Sequence, residues 1–461
     1  MSQDIDLLVG ADVLYSMSEG GEVVLGGELA IRGDRIVHAG PAQPPGTWKA
    51  RQVISGHGKA VLPGFVNCHS HTASLVFRSQ SDDGVGGAAL YTVAFRAEKD
   101  IGPEEWRDLA HLGVIDMIKA GVTTINDIWY EPEALAEAAL AGGLRAQIAN
   151  KIFDVRLENL HAGDYTRHHE EGQARLRRGV AVVEKWHGAG DGLITGRIGP
   201  HASDTCSAEL LREASQEARR LAVGTHVHVA QSQHEADHVR AQHGKGPAEY
   251  LADVGLLDED SVVAHLTYAG AGDLDAVGQS GANYAHCSTI YPRRGVYPDV
   301  AAITARDIPW GLATDWMMND PFEAMRNALN ALRLRQDSVA ALSTAQALWR
   351  ATAGSARVLG LQDEVGQLAA GYKADLIQVD LDQPHLAPFY ADHASLVYYA
   401  RASDVVTSVV AGKVVMAERR VLGLDEAQAM ARVQRHLPRW TELMRGLGGV
   451  GHSGLCGCGG A

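Results

Sequence analysis

Long uncharged apolar runs are missing from this chain. No segment reaches the ~18 residues needed to cross a bilayer, and the opening MSQDIDLLVG carries two acids and no basic leader region, so membrane insertion and secretion are not expected. Cysteine is scarce. Five thiols, at 68, 206, 287, 456 and 458, are too few and too scattered for a disulfide framework in 461 residues, which makes a reducing cytoplasm the expected compartment. Positive charge is in deficit: 41 Lys plus Arg stand against 56 Asp plus Glu, a net charge of −15. Such a surface repels phosphate backbones and anionic lipid, so neither nucleic acid nor membrane is an expected partner. Apolar residues are not lacking: at 46% of the chain they supply a core and exclude bulk disorder.

Two patterns organise the chain. Residues 5 to 60 read as short strands with tight turns, such as GELAIRGDRIVHAG around Gly33-Asp34, and similar β text returns at 374 to 422 with a turn at Ala411-Gly412-Lys413. Between them, β-branched or apolar runs alternate with Ala, Leu and Arg-rich helical stretches. Candidate strands are 61–67, 122–126, 145–152, 193–198, 224–229, 261–266, 282–286 and 308–313. Eight strands in about 300 residues predict a (β/α)8 TIM barrel over 61–360, in the α/β class. Segments 1–60 and 361–425 are expected to join as a small composite β-sandwich domain. Residues 426–461 read as an Arg-rich helix interrupted at Pro438, then a Gly/Cys tail. GVGHSG at 449–454 matches a dinucleotide glycine pattern by chance, with no strand before it, and the thiols of Cys456 and Cys458 give at most half a tetrahedral site.

Histidine is the abundant oddity, with 21 copies. His69 and His71 close an apolar strand two residues apart. Alternation puts both on one face with Cα atoms about 6.6 Å apart, close enough to share a metal ion. A second pair, His226 and His228, ends the fifth candidate strand, His265 the sixth and Asp315 the eighth. In a barrel these C-terminal ends converge on the face that carries the active site.

The text LPGFVNCHSH, KAGVTTINDIWY, GPHASDTCS, THVHVAQSQHE, VVAHLTYAG, YAHCST, GLATDWMMND and VGQLAAGYKADLIQVD resembles the amidohydrolase superfamily. Within it, the chain is most similar to the branch of S-adenosylhomocysteine and methylthioadenosine deaminases, guanine deaminase and the s-triazine hydrolases, over residues 6 to about 422. The resemblance implies His69, His71, His228 and Asp315 as metal ligands, His265 as a partner of the attacking water or developing tetrahedral centre, and His201 as a substrate contact. Three imidazoles and one carboxylate leave an open coordination position, where zinc lowers the pKa of its water to about 7 and supplies hydroxide. Asp315 would accept the water proton and pass it to the leaving nitrogen, while His265 stabilises the charge that builds. One divalent metal per chain is expected, because neither Lys nor Glu occurs between Asp191 and Ser207 to bridge a second. Zinc is the leading ion, and iron also suits the ligands. The resemblance also implies a small-molecule nitrogen heterocycle as substrate, and a homo-oligomer, dimer or tetramer.

The chain departs from that branch where a Glu normally stands, three residues after the strand-five ligand. Here Gln231 occupies the place, able to orient a ring but not to act as acid or base. Glu235 reads equally as a solvated helix N-terminal acid or as a compensating group. His286 and Trp316 are further candidate substrate contacts, with Met317 and Met318 beside them, while Cys68 and Cys287 read as buried small hydrophobes. His168, His169, His234, His238 and His243 read as solvated. The expected reaction is removal of an amino or other leaving group from an amidine-like ring carbon. Cleavage of a linear amide, carbamate or urea is the alternative among hydrolases. A barrel that binds metal without turnover is the alternative outside them, against which Asp315 and His265 argue.

Overall fold

The computed structural model describes residues 2–18, 23–80 and 90–448; the glycine pattern at 449–454 and Cys456 and Cys458 lie outside the described residues. Eight parallel strand positions form a closed ring: Phe65–His71, Val122–Trp129, Arg145–Ile152, Ile194–Gly196 with Gly199–Pro200, His226–Val229, Val262–His265, Asn283–Cys287, and Trp310–Ala313 with Asp315–Trp316. Parallel bridges Ile198 to Thr225 and Ala202 to His228 join the fourth position to the fifth, and Asp315 pairs with Ser70 to close the last on the first. Nearly every residue of these strands is buried, as strands covered on both faces require. Helices such as Pro103–Lys119, Pro132–Gly142, Ala208–Arg220 and Pro321–Gln336 follow individual strands and form the outer layer.

The expected strand 61–67 is two strands. Lys59–Pro63 pairs antiparallel with Leu376–Asp380, outside the barrel, and Phe65–His71 opens the barrel itself. Gly64 makes the break, since a Cβ there would fall 2.1 Å from the Thr123 side chain. The pairing of Lys59–Pro63 with Leu376–Asp380 stitches the N- and C-terminal segments into one hydrogen-bonded nine-stranded sheet. One face of that sheet encloses a core of its own, including Leu7, Val9, Leu29, Ile31, Val61 and Leu376. Alternate residues Ala60 and Leu62 pack into the barrel core instead.

Pro438 does not interrupt the last helix, which runs unbroken over Glu426–Gly446. The lost hydrogen bond costs roughly 3 kcal/mol. Anchors on both sides of the proline offset it: Trp440 and Met444 are buried after it, His436 Nε2 contacts Asp108 at 2.9 Å before it, and Trp440 Nε1–H donates to Glu105 at 2.8 Å.

Helix Pro103–Lys119 reaches the site through Gly113, where a Cβ would stand 2.1 Å from the Thr72 carbonyl oxygen, one residue beyond His71. Alanine improves helix propensity by about 1 kcal/mol, but overpacking costs about 1–3 kcal/mol, and a backbone carbonyl cannot swing aside. Gly113→Ala is therefore expected to lower the thermal unfolding midpoint and to weaken metal retention. An unchanged or raised midpoint in calorimetry would contradict this packing account.

Candidate metal centre and active site

Strand ends bring the expected ligands together. Asp315 Oδ1 lies 3.4 Å from His69 Nε2 and 3.6 Å from His71 Nε2, and His228 Nε2 is 3.2 Å from His71 Nε2. Each ring is oriented from behind, because its other nitrogen is committed. His71 Nδ1–H donates to the Ile128 carbonyl and His228 Nδ1–H to the His201 carbonyl, both at 2.7 Å, and His69 Nδ1 meets His226 Nε2 at 2.7 Å. Those bonds fix the tautomers and leave three Nε2 lone pairs pointing inward. Burial pushes His71, His228 and His265 well below the ordinary imidazole range, so the rings stay neutral.

Asp315 itself is held in a strained backbone, at φ +62°, and His265 at +82°. Asn67 clamps the residue before Asp315: its Nδ2–H donates to Thr314 Oγ1 at 2.7 Å and its Oδ1 accepts from Thr314 N–H at 3.0 Å. His265 Nδ1 then lies 3.8 Å from Asp315 Oδ2 with no hydrogen-bond partner. These donors suit a divalent cation. His69 Nε2 is buried and unpartnered, and the ligand atoms of His69, His71 and His228 all lie within 4.8 Å of one another. A second group, His69, His265, Cys287 and Asp315, overlaps it at His69. We favour the first set with Asp315, because its rings are anchored through Nδ1, whereas burial holds the Cys287 thiol far above its ordinary range.

A cleft opens over this cluster, lined by His71, His201, His228, Gln231, His265, Arg294, Asp315 and Trp316 among others. His201 thus faces it as expected. Its Nδ1 bonds Thr205 Oγ1 at 2.9 Å, and its carbonyl is the anchor of His228. Gln231 and Trp316 line it too, and Gln231 Nε2 and Trp316 Nε1 are buried without a partner. His286 does not reach the cleft. It is fully buried between the hydroxyls of Tyr284, at 2.9 Å, and Tyr297, and burial lowers its pKa to about 3. The strand turns its side chain into the wall, not the mouth, so the expected substrate contact is corrected to a core histidine. Met317 is likewise buried outside the lining. Cys68 and Cys287 are buried thiols, as read.

Glu235 is no solvated acid. It is wholly buried, accepts from Ser203 Oγ at 2.6 Å and from the Gln231 backbone N–H at 2.8 Å, and does not line the cleft. It positions the Gln231 backbone from behind. His234 and His243 are exposed as read, the latter with its ring stacked on Tyr250 at 4.0 Å, whereas His238 is half-buried and stacks on Tyr165 with ring centroids 3.5 Å apart, so of the three His238 is packed instead of freely solvated.

Several lining residues escaped the sequence reading, Lys151 and Glu98 among them. Lys151, near the end of the third barrel strand, pairs with Glu98 at 2.8 Å and is boxed by Phe95, Trp129 and Tyr130, with its Nζ 4.8–5.0 Å from each ring centroid. A cation one residue from the end of a barrel strand was the available signal for Lys151. Glu98 had none, because its position depends on the irregular chain before the first barrel helix.

A closed parallel barrel with three imidazoles and a carboxylate at its C-terminal mouth defines a metal-dependent hydrolase. The pattern of the amidohydrolase family matches residues 60–415, and the chain belongs to that family. It is similar to the 5-methylthioadenosine/S-adenosylhomocysteine deaminase of Pelotomaculum thermopropionicum, with 35% identity over 440 residues, 94% of this chain and 98% of the relative. Among solved structures it is similar to an adenosine deaminase from Xanthomonas campestris with bound zinc, at TM-score 0.86 and 23% identity, covering 97% of this chain and 100% of that one. It is also similar to the zinc complex of atrazine chlorohydrolase from Arthrobacter aurescens, at TM-score 0.80 and 20% identity, covering 95% and 100%.

Two outcomes follow for groups behind the ligands. His226→Ala removes the acceptor that fixes the His69 tautomer, and is expected to weaken metal affinity about 10–100-fold in competitive chelator titration; unchanged affinity would contradict the anchoring role. Burial and the neighbouring Asp204 raise the Glu235 pKa from 4.5 to about 8. A carboxyl raised on folding contributes stability that is complete below pH 4.5 and is lost as pH rises through about 8. Glu235→Gln is therefore expected to gain stability relative to the unsubstituted protein on going from pH 5 to pH 9, both metal-loaded; a difference independent of pH would rule this out.

Proposed function

We propose that this protein is a zinc-dependent aminohydrolase that converts an amidine-like C–NH2 of a nitrogen heterocycle, with one water, to the ring carbonyl and ammonia. Asp315 beside three inward Nε2 atoms, with His265 against its second oxygen, is the observation that carries this reading. Zinc, held by His69, His71, His228 and Asp315, would acidify a water molecule toward neutrality. Asp315 Oδ2, on the side toward His265, accepts the protons of the attacking water in turn. His265, kept neutral by burial, holds the attacking oxygen by a hydrogen bond, while the electron pair displaced from C=N moves to the ring nitrogen; Asp315 relays one water proton to that nitrogen and the other to the departing amine. The leaving group departs as ammonia, with one C–O bond formed and one C–N bond broken.

Gln231 sets the ring's orientation. Its unpartnered Nε2–H donates to a ring acceptor and cannot supply a proton to a ring nitrogen, so Asp315 carries the proton traffic. A relative that deaminates adenine-containing thioethers supports an aminopurine-like ring. Gln231 also leaves open a second reading, hydrolysis of a linear amide, carbamate or urea, which needs no ring protonation. The buried free thiols of Cys68, Cys206 and Cys287 support a reducing, cytoplasmic setting.

The zinc-loaded protein is expected to release ammonia from members of a panel of aminopurines, pterins and aminotriazines. Asp315→Asn is expected to lower kcat about 10²–10⁴-fold. Activity confined to acyclic amides, or an Asn variant with undiminished turnover, would overturn the proposal.

A further inference from the structure

The cleft holds more hydrogen-bond donors than the protein satisfies. Gln231, Trp316 and Arg294 all line it, and Gln231 Nε2, Trp316 Nε1 and Arg294 Nη2 are buried with no hydrogen-bond partner. Arg294 is the telling member. It follows the short turn Ile290–Arg293 after the seventh barrel strand, and its guanidinium carbon lies 5.8 Å from the Trp316 ring centroid. Among the described residues it makes no ion pair and no side-chain hydrogen bond. The other charges in the cleft are committed: Lys151 is neutralised by Glu98 at 2.8 Å, and Asp315 faces the imidazole cluster. One positive charge is left over, inside a chain whose net charge is −15.

Its position says which part of a ligand it meets. Arg294, Gln231 and Tyr291 line both the inner cleft over the metal cluster and an adjoining outer cavity of about 350 Å³, which Tyr91, Gln233, His234 and Tyr268 also border. These three residues therefore form the neck between the reacting centre and the outer space. A guanidinium with a free, partly desolvated N–H presents a two-pronged donor to an oxyanion, and such charge-assisted bonds are about twice as strong as neutral ones.

On the aminohydrolase reading above, we infer that the substrate is an anion: an aminoheterocycle carrying an appended carboxylate or an ionised ring oxygen that docks on Arg294 at the neck, with Gln231 and Trp316 donating to further acceptors. Arg294 is then a specificity-determining residue. It selects charged rings over neutral ones that the rest of the cleft would also admit.

The test uses the zinc-loaded full chain and substrate pairs that differ in one group: aminopyrimidines, aminopurines and aminotriazines with and without a ring carboxylate, and with and without an acidic ring hydroxyl. The unsubstituted protein should favour the anionic member of at least one type of pair by tenfold or more in kcat/KM, and the favoured type tells the two anions apart. Arg294→Gln should raise KM for that anion about 10–100-fold, at least tenfold more than for its neutral partner, and Arg294→Lys should recover part of the loss. Equal treatment of both members of every pair, or equal losses for both in Arg294→Gln, would overturn the inference. Calorimetric binding of the ring carboxylates and ionised hydroxy rings separates it from the reaction assigned above. Arg294-dependent binding without ammonia release supports the anion site and rejects the aminohydrolase reading. Absence of any such binding rejects the anion site itself.

Discussion

Three imidazole Nε2 atoms and one carboxylate oxygen crowd together at the barrel mouth, in a place where burial disfavours the charged form of His71 and His228. Such a cluster is costly without an occupant that needs its lone pairs. The surrounding fold is arranged to hold it nonetheless. The Ile128 carbonyl, the His201 carbonyl and the His226 ring each commit an outward nitrogen. Asn67 pins Thr314, and Gly113 lets a helix backbone press against Thr72. Removing any of these leaves the ligands present but free to turn, and a metal site misplaced by a fraction of an ångström loses its chemistry.

The clustering of the candidate ligands was readable because it follows the simplest rule of strand geometry. His69 and His71 alternate onto one face, and four strand ends meet wherever a parallel ring closes. Asp315 was legible from its place at the end of the last strand, although the positive φ that aims it was not. What lay out of reach depended on three-dimensional packing. His286 sits at a strand end like the others, yet Tyr284 and Tyr297 capture it in the wall. Glu235 reads equally as a solvated helix N-terminal acid or a compensating group, and Ser203 and the Gln231 backbone draw it inside without bringing it to the cleft.

The fold shows the same division. The β/α alternation and the return of β text near the end conveyed the barrel and its composite companion. The split of 61–67 falls at Pro63-Gly64, a breaker pair masked by the apolar run of Val61, Leu62, Phe65 and Val66, and Gly64 lies where a Cβ would meet Thr123. Pro438 signalled a break that tertiary anchoring overrides. The cleft's chemistry was the least legible part. Lys151, Glu98 and Arg294 come from three separate segments, and whether each charge is cancelled or left over depends on distances that no local pattern encodes.

The central claim is that His69, His71, His228 and Asp315 bind one cation, and X-ray absorption at the zinc edge of the metal-loaded protein tests it directly. The account predicts one zinc per chain with a first shell of nitrogen and oxygen only, near 2.0–2.1 Å, and loss of an oxygen-shell contribution in Asp315→Asn. A sulfur contribution near 2.3 Å, which Cys287 alone is placed to supply among the described residues, or a protein that binds no zinc, would contradict it.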